Sequence, residues 1–211
     1  MKELQLDELK IKWLGQSGFK ISGKKTIYID PVNAEETDKA DYILVTHSHR
    51  DHFSPKDIER IKKNSTIIIS RSDVAAKLGG QVRVVSQGDY LNLHNIKIKT
   101  IAAYNIDKPF HKRALGVGFI IEVEDKKIYH AGDTDYIPEM EIKSDFSDID
   151  VALLPVGGTY TMDAKEAAKA ANTIKPKIAI PMHYGSIVGT KKDANKFKEL
   201  VDKSIQVEIL E

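Results

Sequence analysis

The stretch Asp41-Tyr-Ile-Leu-Val-Thr-His-Ser-His-Arg-Asp-His-Phe-Ser-Pro-Lys-Asp57 decides how the rest of the chain is read. Tyr42 to Val45 is a short apolar run bounded by polar residues, the pattern of a strand buried on both faces. The chain leaves it through Thr46-His47-Ser48-His49-Arg50-Asp51-His52. Ser54 follows with the character of an N-cap, Pro55 takes the first helical position, and Asp57 falls in the first turn. Three histidines and an aspartate therefore sit on a strand-to-helix turn, where side chains can converge. Residues two apart in extended backbone point the same way, so His47 and His49 can reach one cation together. Asp51 continues on that side, while His52 turns elsewhere as the chain coils. This arrangement suits two neighbouring cations better than one. His-x-His-x-Asp-His would arise by chance in roughly 6 of 10,000 chains of this composition, so coincidence does not explain it.

Outward from that turn, short strands and helices alternate. Ile11 to Leu14, Phe19 to Ser22 and Thr26 to Ile29 read as strands, the last ending at Asp30-Pro31. A helix is expected from Pro55 to Lys62, a strand over Thr66 to Ser70, and a helix over Arg71 to Leu78 closed by Gly79-Gly80. Val82 to Val85, Tyr90 to Leu93 and Ile96 to Ala103 read as a meander. Beyond the loop Tyr104 to Arg113, Gly116 to Val123 and Lys127 to His130 form a hairpin. Ile137 to Phe146 has helical character, and Val151 to Leu154 is another buried strand. Asp163 and Glu166 have capping-box spacing for a helix that ends before Pro176. A strand over Ile178 to Ile180, a helix from about Asp193 to Asp202 and a strand over Gln206 to Leu210 complete the chain.

Part of this pattern repeats. Gly18-Phe19, a lysine turn and Ile27-Tyr28 recur as Gly118-Phe119, Asp125-Lys126-Lys127 and Ile128-Tyr129. Asp41 to Val45 likewise recurs as Asp150 to Leu154. The reading is an internal duplication within a single domain, residues 1–211, of two β-rich halves at about 1–103 and 114–211. Two such sheets are expected to stack face to face with helices outside. Loops leaving equivalent strands would then gather at one edge.

Composition narrows the function classes. A length of 211 residues suits one domain, and the formal net charge is +1. Basic pairs such as Lys24-Lys25, Lys62-Lys63, Lys112-Arg113 and Lys126-Lys127 are scattered, which argues against a dedicated nucleic-acid surface. The absence of cysteine excludes disulfides and thiolate ligands. No apolar run approaches the ~20 residues that span a bilayer. Met1 to Lys12 lacks the apolar segment of a signal peptide. A cytoplasmic protein acting on a small molecule is expected.

Further candidates complete the histidine turn. His183 follows a strand, beside Gly185, as a ligand on a short rigid loop would. His111 lies in the 104–113 loop between Phe110 and Lys112, and loop residues often carry function. Asp133, in Gly132-Asp133-Thr134, offers a carboxylate that can bridge two cations, which a neutral imidazole cannot. His130 could be a ligand, a proton carrier or a group behind the ligands; its place inside a strand favours the last. Asp30 could orient a ligand imidazole through its free N–H, or simply end a strand. His94 sits in a hairpin turn and reads as a surface residue. Together these give His47, His49 and His111 for one metal, Asp51, His52 and His183 for the other, and Asp133 between them. Zinc is the default for imidazole-rich sites, and an all-N/O set also suits manganese or iron.

The order of these residues resembles the metallo-β-lactamase superfamily, whose binuclear members carry His-x-His-x-Asp-His, a later His, a bridging Asp and a final His. The resemblance runs from Trp13-Leu14-Gly15 to the final helix and strand. Tyr129-His130-Ala131-Gly132-Asp133-Thr134 and Pro181-Met182-His183-Tyr184-Gly185 are similar to small metal-dependent hydrolases near the ascorbate-6-phosphate lactonase branch. The implied fold is α/β, a four-layer αβ/βα sandwich with the site at one edge. Two-zinc β-lactamases typically carry cysteine where Asp133 stands, and this chain has none. The helical domain of glyoxalase II, the inserted domain of the RNA-processing nucleases and the flavodoxin domain of diiron oxygen reductases are also expected to be missing.

The implied activity is hydrolysis. Two divalent ions ~3.5–4 Å apart would bridge a water and lower its pKa toward about 7, for attack on an ester, lactone or phosphodiester. Asp51 is the group placed to orient that water and accept its proton, with His130 a weaker candidate for protonating the leaving group. Gly157 to Met162, with Tyr160, could contact substrate or serve as a structural loop. Two competing readings are a non-heme diiron redox protein and a non-catalytic metal-dependent binding module on the same scaffold.

Overall fold

In the computed structural model the described residues are 3–34, 38–79 and 81–211. Gly80, expected to help close the second helix, lies outside them. The chain forms two compact units, one running to Ser86 and taking in Leu210–Glu211, the other Gln87–Ile209.

The first unit contains β1 (Glu3–Leu6), β2 (Leu9–Gly15), β3 (Gly18–Ser22), β4 (Thr26–Ile29), β5 (Tyr42–Val45), α1 (Pro55–Ile61), β6 (Ile67–Ser70), α2 (Ser72–Ala75) and β7 (Val82–Val84). Its strands lie in chain order across one sheet. Pairing is antiparallel from β1 to β4 and parallel from β4 to β7. All four residues of β5 are buried, as a central parallel strand requires. Ile43 and Val45 pack with Phe53, Ile58 and Ile61 in one core cluster. Ile58 and Ile61 are fully buried, each contributing about 1.5–3 kcal/mol that anchors α1.

The helix that follows the histidine turn is fixed at its start. Ser54 caps it, its Oγ accepting from Asp57 N at 3.3 Å, and Pro55 opens the first turn. The Asp57 carboxylate accepts from Asn33 N at 2.9 Å and Arg60 Nη2 at 2.6 Å. Burial raises the Asp57 pKa, but the bonds from Arg60, Ser54 and Asn33 outweigh it and hold the carboxyl below its usual range.

The second unit contains β8 (Tyr90–Leu93), β9 (Ile96–Ala103), β10 (Gly116–Val123), β11 (Lys126–His130), β12 (Val151–Pro155), α3 (Ala164–Ile174), β13 (Ile178–Met182), α4 (Lys191–Leu200) and β14 (Gln206–Val207). Pairing is antiparallel from β8 to β11 and parallel from β11 to β14, the plan of the first sheet repeated. Asp41 and Asp150 occupy matching places before β5 and β12. Asp41 accepts from Thr26 N at 3.0 Å and Asp150 from Lys127 N at 2.8 Å. The expected capping box of α3 is present, with Lys165 N and Glu166 N donating to Asp163 Oδ1 at 2.8 Å.

Several expectations are corrected. The meander is divided: β7 pairs with β6 in the first sheet, while β8 and β9 open the second. Local sequence carries no mark of that change of sheet. β1 was not anticipated, because its alternation of exposed and half-buried positions gives little hydrophobic signal. Only Ser72–Ala75 is α-helical in the expected Arg71 to Leu78 helix. Within Ile137 to Phe146 only a 3₁₀ turn, Pro138–Glu141, forms. Ile142 is extended and 46% exposed there, so no apolar stripe sustains a helix. The last strand stops at Val207. Among the described residues no helix is long and apolar enough to cross a membrane.

Candidate metal centre

In the first unit the loop leaving β5 carries four donors, His47, His49, Asp51 and His52, over a shared support. Asp30, at the end of β4 and fully buried, accepts from Thr46 N at 2.8 Å on Oδ1. Its Oδ2 accepts from Thr46 Oγ1 at 2.7 Å and faces His52 Nδ1 at 2.7 Å. His52 Nδ1 therefore carries the proton and Nε2 keeps its lone pair. Because the Thr46 hydroxyl donates to Asp30, its oxygen accepts from His47 Nδ1 at 3.0 Å. The same logic leaves His47 with a bare Nε2, which stands 3.0 Å from His49 Nδ1. His52 Nε2 lies 3.4 Å from Asp51 Oδ2.

Sequence reasoning missed one contributor here. Gln16, in the turn between β2 and β3, donates from Nε2 to Asp51 Oδ2 at 3.1 Å. Its backbone is left-handed at φ 51°, and its carbonyl accepts from Trp13 Nε1 at 3.0 Å. No motif links residues 16 and 51, so pairing in the folded hairpin is the only signal.

In the second unit three separate loops bring His111, Asp133 and His183 together. His111 Nε2 and His183 Nε2 each lie 3.2 Å from the same oxygen, Asp133 Oδ2. His111 Nδ1 stands between two acceptors, Tyr160 O at 3.1 Å and Asn105 Oδ1 at 3.2 Å. Nδ1 is thus protonated, and a lone pair on Nε2 faces a carboxylate oxygen. That juxtaposition is repulsive unless a positive charge lies between them.

His183 sits just beyond β13 at φ 59°, a left-handed conformation costing a non-glycine residue about 1–3 kcal/mol. Gly157 makes room for it: a Cβ there would lie 2.6 Å from His183 O. The loop after β12 is accordingly a buttress, with Gly157 against His183 and the Tyr160 carbonyl against His111. The 104–113 loop has no regular secondary structure but is pinned by Asn105, whose N donates to His111 O at 2.7 Å. His130 ends β11, fully buried, and its Nδ1 accepts from Gly132 N at 3.2 Å, one residue before Asp133. His94 is exposed in its hairpin turn, apart from these groups.

The donor chemistry fits divalent metal ions. Ligands at ~2.0–2.1 Å from one ion stand roughly 3.0–3.4 Å from one another. The separations of 3.0 and 3.4 Å in the first unit and 3.2 Å in the second fall in that range. All donors are nitrogen or oxygen, and the imidazoles of His47, His52 and His111 are held in the form that presents Nε2.

A family profile described as "Beta-lactamase superfamily domain" matches residues 10–183, taking in all the donors named above. The chain belongs to the metallo-β-lactamase superfamily. Among curated relatives, a UPF0173 metal-dependent hydrolase of Thermoplasma acidophilum is 37% identical, the match covering 92% of each chain. Among solved structures, a Parabacteroides distasonis protein superposes with a TM-score of 0.86 at 34% identity, covering 99% of this chain and 96% of that one. Igni18, a metallo hydrolase from Ignicoccus hospitalis, gives 0.80 at 27% identity, with 96% and 95% covered. The superfamily's α/β fold, expected from the sequence, is the fold observed. Kinship with the ascorbate-6-phosphate lactonase branch rests on the two quoted motifs alone.

Proposed function

We propose that this superfamily member is a metal-dependent hydrolase with a binuclear centre, most simply zinc, acting on an ester, lactone or phosphodiester. His47, His49 and His111 would hold one ion and Asp51, His52 and His183 the other, with Asp133 placed to serve both. The observation that carries the reading is Asp133 Oδ2 facing two imidazole nitrogens at 3.2 Å each. A carboxylate oxygen so placed is within reach of an ion held by either imidazole, which supports a bridging role. The naming of relatives as metal-dependent hydrolases supports it.

When bound, such ions supply Lewis acidity, lowering the pKa of a water from about 15.7 toward about 7. Asp51 orients that water and takes up its proton, and the amide of Gln16 fixes which carboxylate oxygen does so. Asp30 and Thr46 hold His47 and His52 with Nε2 presented. His130, enclosed in the core, holds the Gly132 amide and so the turn that aims Asp133, rather than touching substrate.

Metal analysis of the purified chain should find about two ions, and chelation should abolish hydrolysis across a panel of ester, lactone, thioester and phosphodiester substrates. Asp51→Ala or His49→Ala leaving the rate unchanged would overturn these roles. A coloured, iron-loaded protein would favour a redox site instead.

A further inference from the structure

We infer that Asp135 and Asn105 are positioning residues for His111, fixing its tautomer and the loop that carries it; this rests on His111 being a metal ligand. Neither residue carries a sequence signal for that task. The buried Asp135 carboxylate accepts from Asn105 Nδ2 at 3.0 Å and Lys108 Nζ at 2.7 Å on Oδ1, and from Ile106 N at 2.9 Å on Oδ2. Asn105 Nδ2 also donates to Tyr160 O at 2.9 Å.

Two acceptors around Nδ2 leave one orientation for the Asn105 amide, because an amide nitrogen donates and its oxygen accepts. Its Oδ1 must then face His111, accepting from His111 N at 2.9 Å and lying 3.2 Å from His111 Nδ1. A flipped amide would set NH₂ against the His111 N–H and its oxygen against the acceptors on Asp135 and Tyr160. The carboxylate of Asp135 therefore reaches His111 through Asn105. It places the proton on Nδ1 and leaves Nε2 to bind.

The same short turn thus serves two ends. Asp133 presents an oxygen to His111 Nε2, and Asp135, two residues on, settles which nitrogen of that ring is free. Lys108 ties the assembly to the neighbouring loop through Thr161 O at 2.8 Å. Every one of these bonds is made by the chain itself, so the His111 side is organised before any ion arrives.

The test uses the full chain with zinc as the probe. Long-range ¹H–¹⁵N correlation spectra of the metal-free protein should find His111 protonated on Nδ1. Asp135→Ala should mix the two tautomers and weaken the affinity for one zinc ion by about 10–100-fold, measured by chelator competition, while the other ion is held as before. Lys108→Met should leave the tautomer intact. Should Asp135→Ala fail to fold, Asp135→Asn, which keeps the shape but cannot accept with both oxygens, is measured instead, with the same expected direction. An Nε2-protonated His111 in the wild type, or an Asp135 variant with unchanged tautomer and unchanged zinc affinity, overturns the inference. A wild-type chain that takes up no zinc overturns the metal reading itself, and the two failures are read in separate experiments.

Discussion

The two sheets follow one strand plan but equip it differently. Ile29 pairs with Leu44 at the end of β4, and His130 pairs with Leu153 at the end of β11. In the first unit one loop, after β5, carries four donors. In the second, the equivalent loop after β12 carries none and instead supports donors on three other loops. A shared strand plan fixes where loops leave a sheet, and leaves open what each loop carries. Clustered donors can share support, as Asp30 and Thr46 serve His47 and His52 at once. Dispersed donors each need their own: Asn105 for His111, the Gly132 turn for Asp133, Gly157 for His183.

Removing the residue on which the dispersed set converges should therefore have the largest effect. Asp133→Ala is expected to lower kcat/KM by about a thousandfold or more, roughly 4 kcal/mol of transition-state stabilisation, with loss of bound metal. Asp30→Ala, which removes support and no ligand, should cost about 10–100-fold in metal affinity. Metal stoichiometry and single-turnover rates on the same preparations separate the two. An Asp133 variant that keeps both its ions and its rate would break the comparison.

The next effect comes from the buttress. Gly157→Ala puts a Cβ 2.6 Å from His183 O and 2.7 Å from Val188 Cγ2, so backbone must shift, at about 1–3 kcal/mol. A chain of this length should then lose roughly 2–10 °C in melting temperature. Gly79→Ala, where nothing lies within 4 Å, is the control in the first unit and should leave it unchanged. Equal losses at both positions would mean that the His183 contact does not set the cost, since the lower unfolded-state entropy of alanine acts in the stabilising direction at both.

How much of this was legible follows the same division. The histidine turn could be read because its four donors fall within six positions, 47–52, bracketed by a buried strand and a capped helix. His111, Asp133 and His183 were legible as residue types on loops, and the repeated Gly-Phe and Ile-Tyr pairs fall at matching strands of the two sheets. Gln16 and Asp135 were not legible, because their bonds join positions 35 and 30 residues apart with no periodicity between them. The change of sheet between β7 and β8 was equally hidden. Strand propensity says that a segment pairs, while the partner is chosen by tertiary packing.

A smaller effect belongs to Asp41, which precedes β5 and accepts from Thr26 N. Burial pushes the Asp41 carboxyl up, but bonds from Thr26 N, Lys63 and Lys25 outweigh it and hold its pKa below the usual value. A depressed folded pKa means stability that is complete above the unfolded value of about 3.9 and is lost as pH falls through the folded one. Urea midpoints for the wild type should thus decline below about pH 4. Asp41→Asn should start lower by about 1 kcal/mol at pH 7 and decline less steeply on acidification. Parallel pH profiles for the variant and the wild type would remove Asp41 from the account.

The smallest effect compares two tyrosines at equivalent places, both fully buried. Tyr28 in β4 donates from its hydroxyl to Asp38 O at 2.9 Å. Tyr129 in β11 packs its ring edge-on against Phe146, centroids 4.9 Å apart, and its hydroxyl has no hydrogen-bond partner among the described residues. Burial alone pushes the Tyr129 hydroxyl far above the ordinary tyrosine pKa, so it stays neutral. Tyr28→Phe strands a carbonyl and should cost about 1 kcal/mol. Tyr129→Phe deletes a buried polar group that gains nothing in return, so its cost should lie near zero or turn favourable. Equilibrium unfolding of the two variants side by side decides it. A Tyr129→Phe chain as destabilised as Tyr28→Phe would mean that the second unit satisfies this hydroxyl after all, and that the two sheets are more alike inside than at their loops.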